Sequence, residues 1–148
     1  MQGISRQTDY AVRTVLHLAT CLEGVAVPLG EIGKERNLPS AFVRQFVKKL
    51  VNSGILSTVR GNGGGIRLAK PASDITLLDV VKSTGGIRLS RCVDSPGACA
   101  QAADCLVRNV WAKATKTLES HLSSVYFSDL ASEMNLHSQH PNEHSMIS

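Results

Sequence analysis

No run of apolar residues in this chain approaches the roughly 20 needed to cross a bilayer, so a membrane span is excluded. The opening stretch MQGISRQTDY is polar, and the first apolar helix, Ala11 to Leu22, carries Arg13 and His17, so no secretory signal is expected. A cytoplasmic, reducing compartment follows as the expectation. Cysteine is scarce, four in 148 residues, and no two are spaced Cys-x2-Cys, which argues against a zinc ribbon. The glycines at positions 61 and 63–65 are not followed by Lys-Ser/Thr and a helix, which argues against a nucleotide phosphate loop. Nor does any substrate loop, nucleophile–base pair or cofactor fingerprint stand out, so an enzyme is not expected.

What is present suits one compact domain, or a small domain with an oligomerisation segment: 148 residues, 43% of them hydrophobic. The formal net charge of +4 favours an anionic partner. Charge alone does not separate nucleic acid from an acidic protein or a membrane surface, so its position along the chain has to decide.

The expected fold is mainly α with a small β-hairpin: a winged helix-turn-helix domain over 1–84, a cysteine loop over 85–104, a long C-terminal dimerisation helix over 105–132 and a disordered tail over 133–148. From Ser5 to Leu22 apolar residues recur at helical spacing, with Ser5 or Thr8 able to cap the start. Gly24 breaks this helix, Pro28 opens a short second one with Leu29, Ile32 and Gly33 facing inward, and Asn37 ends it. Pro39-Ser40 turns into a third helix from Ala41 to Ser53, with Ser40 as N-cap and Gly54 as a left-handed stop. Residues 55–60 and 66–70 flank a glycine-rich turn and predict a β-hairpin, placed as a wing would be. Thr76 caps a further helix, Leu77 to Ser83, before Gly85-Gly86.

On the third helix Val43, Phe46, Val47 and Leu50 form an inward stripe, while the charged residues face other ways. A basic second helix in a helix-turn-helix, followed by a wing, predicts double-stranded DNA as partner. The N-terminal part of such a helix lies nearest base edges, which nominates Ser40, Ala41, Arg44 and Gln45; Arg44 suits guanine and Gln45 adenine. Lys48 and Lys49 suit phosphates. In the wing, Gly63 and Gly64 allow close backbone approach, and Arg60 and Arg67 flank the turn as groove or phosphate probes.

Three of the cysteines, Cys92, Cys99 and Cys105, form Cys-x6-Cys-x5-Cys in a segment rich in glycine and proline. Thiolates are soft ligands for zinc or for iron in iron–sulfur clusters, and three can converge from one loop. A fourth ligand must then come from a non-cysteine side chain, Cys21, a small molecule or another subunit. A metal-free thiol/disulfide switch is the alternative chemistry. Cys21, on the apolar first helix, reads as a small buried residue. Beyond the loop, Leu106, Val110, Ala114, Leu118, Leu122 and Val125 make one apolar stripe with Trp111 beside it, and such a stripe needs a partner, as in a homodimer reading a palindromic operator. His137, His140 and His144 in the polar terminus are assigned no role.

These residues together resemble the Rrf2 family of bacterial transcription regulators. The resemblance is carried by Thr8-Asp9-Tyr10-Ala11-Val12-Arg13, the helix-turn-helix from Val27 to Leu56, the stretch Val59 to Gly65, the Asp74-Ile75-Thr76-Leu77 helix start, the three cysteines and the ending Tyr126 to Leu130. It implies a winged-helix homodimer with an iron–sulfur cluster on Cys92, Cys99 and Cys105, a 4Fe-4S cluster in preference to a 2Fe-2S one. Members of the IscR type add a histidine three residues after the last cysteine, where this chain has Arg108. Members of the NsrR type, which sense nitric oxide, use a carboxylate on the first helix of the other subunit, and the Thr-Asp-Tyr match puts Asp9 there. The chain is thus most similar to the NsrR type, although its first cysteine interval is six residues where many relatives have five. The alternative reading of Asp9 is a helix-start carboxylate satisfying free amides. The implied function is a repressor whose cluster senses nitric oxide, iron or redox status.

Overall fold

The computed structural model describes residues 3–95, 97, 99–100 and 104–139, which form seven α-helices and one β-hairpin. Helix α1 (Arg6–Thr20) starts where the Ser5 hydroxyl accepts the Thr8 amide at 3.1 Å. Its buried residues, Thr8, Ala11, Thr14, Val15 and Leu18, fall on one side at three- and four-residue steps. Helix α2 (Leu29–Arg36) stops at Asn37, whose φ of 52° turns the chain left-handed. Helix α3 (Ser40–Asn52) follows at once, with Gly33 of α2 buried beside the turn.

One expected cap is corrected here. Ser40 is the first residue of α3 and makes no capping bond; Pro39 occupies the cap position, with φ near −60° and its carbonyl accepting the Val43 amide at 3.2 Å. Proline's fixed φ suits the start of a helix, which leaves the serine hydroxyl free of that task.

The hairpin pairs β1 (Leu56–Val59) with β2 (Gly65–Leu68), in register from Leu56 opposite Leu68 to Val59 opposite Gly65. Gly65, expected in the turn, belongs to β2. Val27 exchanges two backbone bonds with Ile66, at 2.8 and 2.9 Å, and so anchors the hairpin to the segment before α2. This contact requires glycine at 65, because a Cβ would overlap the Val27 carbonyl and the residue's φ is 155°. After a short 3-10 turn (Ala72–Asp74), α4 (Leu77–Ser83) opens on a capping box. Thr76 Oγ1 accepts from the Asp79 amide at 3.1 Å, and Asp79 Oδ2 accepts from the Thr76 amide at 2.9 Å.

Three elements follow that the local pattern resolves less well. A single turn, α5 (Arg91–Asp94), lies in the segment expected as loop. Helix α6 (Leu106–Ser123) ends at Ser124, and a separate helix α7 (Phe127–Gln139) follows. The expectation of one helix through 132 and disorder from 133 is therefore overturned for 133–139, while positions 140–148 lie outside the described residues. The physical cause of the break is pairing across the fold. Leu77 donates to the Val125 carbonyl at 2.8 Å and Phe127 to the Ile75 carbonyl at 3.0 Å, which turns the chain sharply and drives Phe127 into the core.

That core is continuous from α1 through α3, the hairpin, α4 and the start of α7, with Phe46, Leu50, Ile66, Ile75, Val80 and Phe127 fully enclosed. Tyr10, Phe42 and Phe46 stack edge to face between α1 and α3, with centroids 5.8 and 5.9 Å apart. Helix α6 contributes no buried residue. Among the described residues no helix is long and apolar enough to cross a membrane.

Candidate nucleic-acid interface and cysteine loop

Because α3 spends Val43, Phe46, Val47 and Leu50 on the core, its other side is left to solvent. Ser40, Ala41, Arg44, Gln45, Lys48 and Lys49 are all exposed there. The six residues nominated from the pattern therefore share one accessible helix surface. Arg60 and Arg67 are exposed on the hairpin, with Arg67 Nε donating to Ser57 Oγ at 3.4 Å.

The glycines of the wing divide by cause. Gly61 and Gly63 have φ of 91° and 74°, the left-handed geometry of a tight turn. At Gly64 a Cβ would collide with the Val59 and Gly61 carbonyls. Closing the hairpin is thus sufficient reason for glycine at 63 and 64. Residue pattern had missed Gln7, on the first turn of α1, which bonds to two α3 side chains: it accepts from Lys49 Nζ at 2.5 Å and donates to Gln45 Oε1 at 3.4 Å. Only tertiary packing brings position 7 beside 45 and 49.

The cysteines sit on the opposite arm of the sequence, around α5 and the start of α6. Cys92, in α5, is half-buried, with its sulfur 2.9 Å from Ser90 Oγ. Cys105 is half-buried at the N-cap of α6, and Cys99 is exposed. Arg108, where the resemblance raised a histidine ligand, instead donates from Nε to the Cys92 carbonyl at 3.0 Å. It straps α6 to α5 and holds the first and last cysteine segments together. All three are free thiols, soft donors of the kind iron–sulfur iron takes, so the donor set fits such a cluster in chemistry. Among the described residues no three His, Cys, Asp or Glu side chains are gathered closely enough to hold a metal ion.

Asp9 lies in the first turn of α1, half exposed, and pairs with Arg13 at 3.0 Å. Its neighbour Thr8 is fully buried, and the hydroxyls of Ser5, Thr8 and Thr84 form a chain with 2.9 Å steps from α1 to the end of α4. Just beyond, Gly3 and Arg88 exchange backbone bonds. The start of α1 is therefore tied on one side to the segment leading into the cysteine loop and on the other to α3. Cys21 is the C-cap of α1, partly buried against the core, and donates to the His17 carbonyl at 3.4 Å. Burial, and then the Glu31 and Glu35 carboxylates, push its thiol above the ordinary cysteine range.

Comparison with known proteins agrees with this architecture. A candidate HTH-type transcriptional regulator of Haemophilus influenzae is 27% identical over 131 residues, 88% of this chain and 87% of that one. The crystal structure of the oxidised form of Staphylococcus aureus CymR superposes with a TM-score of 0.69 at 25% identity, covering 88% of this chain and 96% of CymR. IscR of T. potens shares the fold, with a TM-score of 0.71 at 23% identity, covering 88% and 87% of the two chains. The family model described as an iron-dependent transcriptional regulator matches residues 4–133. With a helix-turn-helix, a wing and that match over nearly the whole described length, the chain belongs to the Rrf2 family of DNA-binding transcriptional regulators.

Proposed function

We propose that this protein is a cytoplasmic homodimeric repressor that binds a palindromic operator and whose affinity is set by an iron–sulfur cluster, 4Fe-4S in preference to 2Fe-2S, sensing nitric oxide. The observation that carries the proposal is the link through α1. One short helix start holds Asp9, bonds to the exposed face of α3 through Gln7, and bonds toward the cysteine segment through Thr8 and Thr84.

Cys92, Cys99 and Cys105 would hold the cluster, with Asp9 of the partner subunit as fourth ligand. When bound, such a cluster supplies an iron that, ligated by oxygen where its neighbours have thiolate, stays open to a small diatomic molecule. As a ligand Asp9 would have to give up Arg13, its present partner at 3.0 Å. Such an exchange would act on the turn of α1 that bonds to α3 through Gln7, and would change how the two recognition helices meet DNA. Ser40, Ala41, Arg44 and Gln45 face bases in this reading, while Lys48, Lys49, Arg60 and Arg67 hold phosphate or groove. The exposed apolar face of α6, with Val110 62% and Leu118 41% accessible, supports dimerisation through that helix.

The deciding measurement is iron and acid-labile sulfide per chain on protein purified without oxygen, with operator affinity before and after nitric oxide. About four of each, bleaching with loss of operator binding, supports the reading. Cys99→Ala should abolish the response and leave the fold intact; a normal cluster and response in that variant would overturn it.

A metal-free thiol switch on the same reader is the second reading. It is favoured by the likeness to CymR crystallised in an oxidised form and by the exposure of Cys99. Reversible disulfide formation that changes operator affinity, in protein that takes up no iron on anaerobic reconstitution, would select it.

A further inference from the structure

Gln7 makes a bond order that chemistry forces. The Lys49 ammonium carries donors only, so Gln7 must turn its carbonyl oxygen to Lys49 and its amide nitrogen to Gln45. Gln45 must then answer with its own carbonyl oxygen, the acceptor in the 3.4 Å contact. Gln45 is exposed and lies on the side of α3 turned away from the core. The group it keeps wholly free for DNA is its amide nitrogen, with two donors, while its carbonyl oxygen, though it retains a second lone pair, is held toward Gln7.

We propose that Gln7 is a specificity-positioning residue that fixes the amide of Gln45 with its donor outward. The proposal rests on the reading of α3 as the recognition helix. Bidentate recognition of adenine needs one acceptor and one donor from the same side chain, for N6–H and N7. Guanine presents two acceptors, N7 and O6, and no donor in that part of the groove. With its carbonyl oxygen held toward Gln7 and its amide nitrogen turned outward, Gln45 therefore reads guanine in preference to the adenine that glutamine alone suggests. Lys49 sets Gln7, and Gln7 sets Gln45, so base choice is dictated from a helix that need not touch the base.

Two substitutions turn this into opposite expectations from one position. Gln7→Ala removes the donor and frees the Gln45 carbonyl, so adenine becomes readable. Gln7→Glu keeps the bond from Lys49 but supplies no donor; its carboxylate accepts from the Gln45 amide and turns the Gln45 carbonyl toward DNA. That favours bases with an exposed amino donor, adenine and cytosine.

The experiment selects from a randomised duplex pool with the full-length protein and with Gln7→Ala, Gln7→Glu and Gln45→Ala, each checked for an unchanged thermal melt. Gln45→Ala is expected to flatten preference at one symmetric pair of operator positions. At that pair the wild-type protein should favour guanine, and both Gln7 variants should shift the guanine-to-adenine ratio severalfold, on the order of tenfold at most, with other positions unchanged. If Gln45→Ala alters that position while the Gln7 variants match the wild type, the positioning role is overturned. Uniform weakening on all sequences by the Gln7 variants, as a merely structural residue would give, overturns it as well. If Gln45→Ala alters no position, Gln45 is not a base contact and this inference falls; if the same is true of Arg44→Ala, the recognition-helix reading falls with it.

Discussion

The reader region and the arm beyond α4 handle their apolar residues in opposite ways. From α1 to α4 nearly every large apolar side chain enters one core, which the start of α7 completes. In α6, by contrast, Leu106 is 80% exposed, Val107 60% and Val110 62%, and no residue is buried. The first region is finished within one chain. The second carries a surface that water does not favour and that the described residues do not cover. A region that completes itself can be rigid, and one that needs a partner or a ligand can respond to it.

Four perturbations test how deep that contrast runs. The largest effect belongs to the closed core: Phe46→Ala should cost about 3–5 kcal/mol, read as a lower denaturation midpoint, because the ring is fully enclosed. A loss below about 1 kcal/mol would mean that the reader region is not the closed unit described. Next, placing charge on the open arm by Val110→Glu with Leu118→Glu should leave helical content and thermal stability nearly unchanged. The same pair should weaken self-association by at least about tenfold in sedimentation, equivalent to about 1.4 kcal/mol. Unfolding of this variant instead would show that α6 is part of the core.

Within the reader the contrast can be sharpened by separating surface from interior. Lys48→Ala should lower DNA affinity a few-fold on all sequences and reduce the slope of log K against log salt by about one, with stability unchanged. A sequence-selective loss would move Lys48 from phosphate to base. The smallest effect is chemical. At pH 8 a thiol alkylating reagent should label Cys99 well before Cys21, since Cys99 is exposed and the Cys21 thiol titrates high, for reasons of burial and the Glu31 and Glu35 carboxylates. The raised value keeps the protonated form, so the gap should narrow as pH climbs through the upper cysteine range. Equal rates at pH 8 would place Cys21 in the same open environment as the loop.

The legible parts of the fold were those with local causes. Ser5 and Thr76 cap as serine and threonine should, Asn37 takes the left-handed turn, and α3 buries the four residues its spacing selects. The exposed face of α3 was legible for the same reason, since what a helix does not bury it exposes. The break between α6 and α7 was not legible, because the bonds from residues 75 and 77 to 127 and 125 join segments far apart in sequence. The role of Pro39 in place of Ser40 turned on backbone geometry at one residue. Gln7 stood outside every pattern, as a polar residue on the first turn of a helix usually does.

Sequence by itself determined the helix-turn-helix, the wing, the basic face and the three-thiol segment, because periodicity, capping residues, glycine and charge act over a few residues. Tertiary structure alone decided that Phe127 closes the core, that Arg108 straps the cysteine segment and that Gln7 meets Gln45 and Lys49. Those contacts join residues 16 to 50 positions apart or more, and a pairing of that kind exists only once packing has fixed which surfaces face each other.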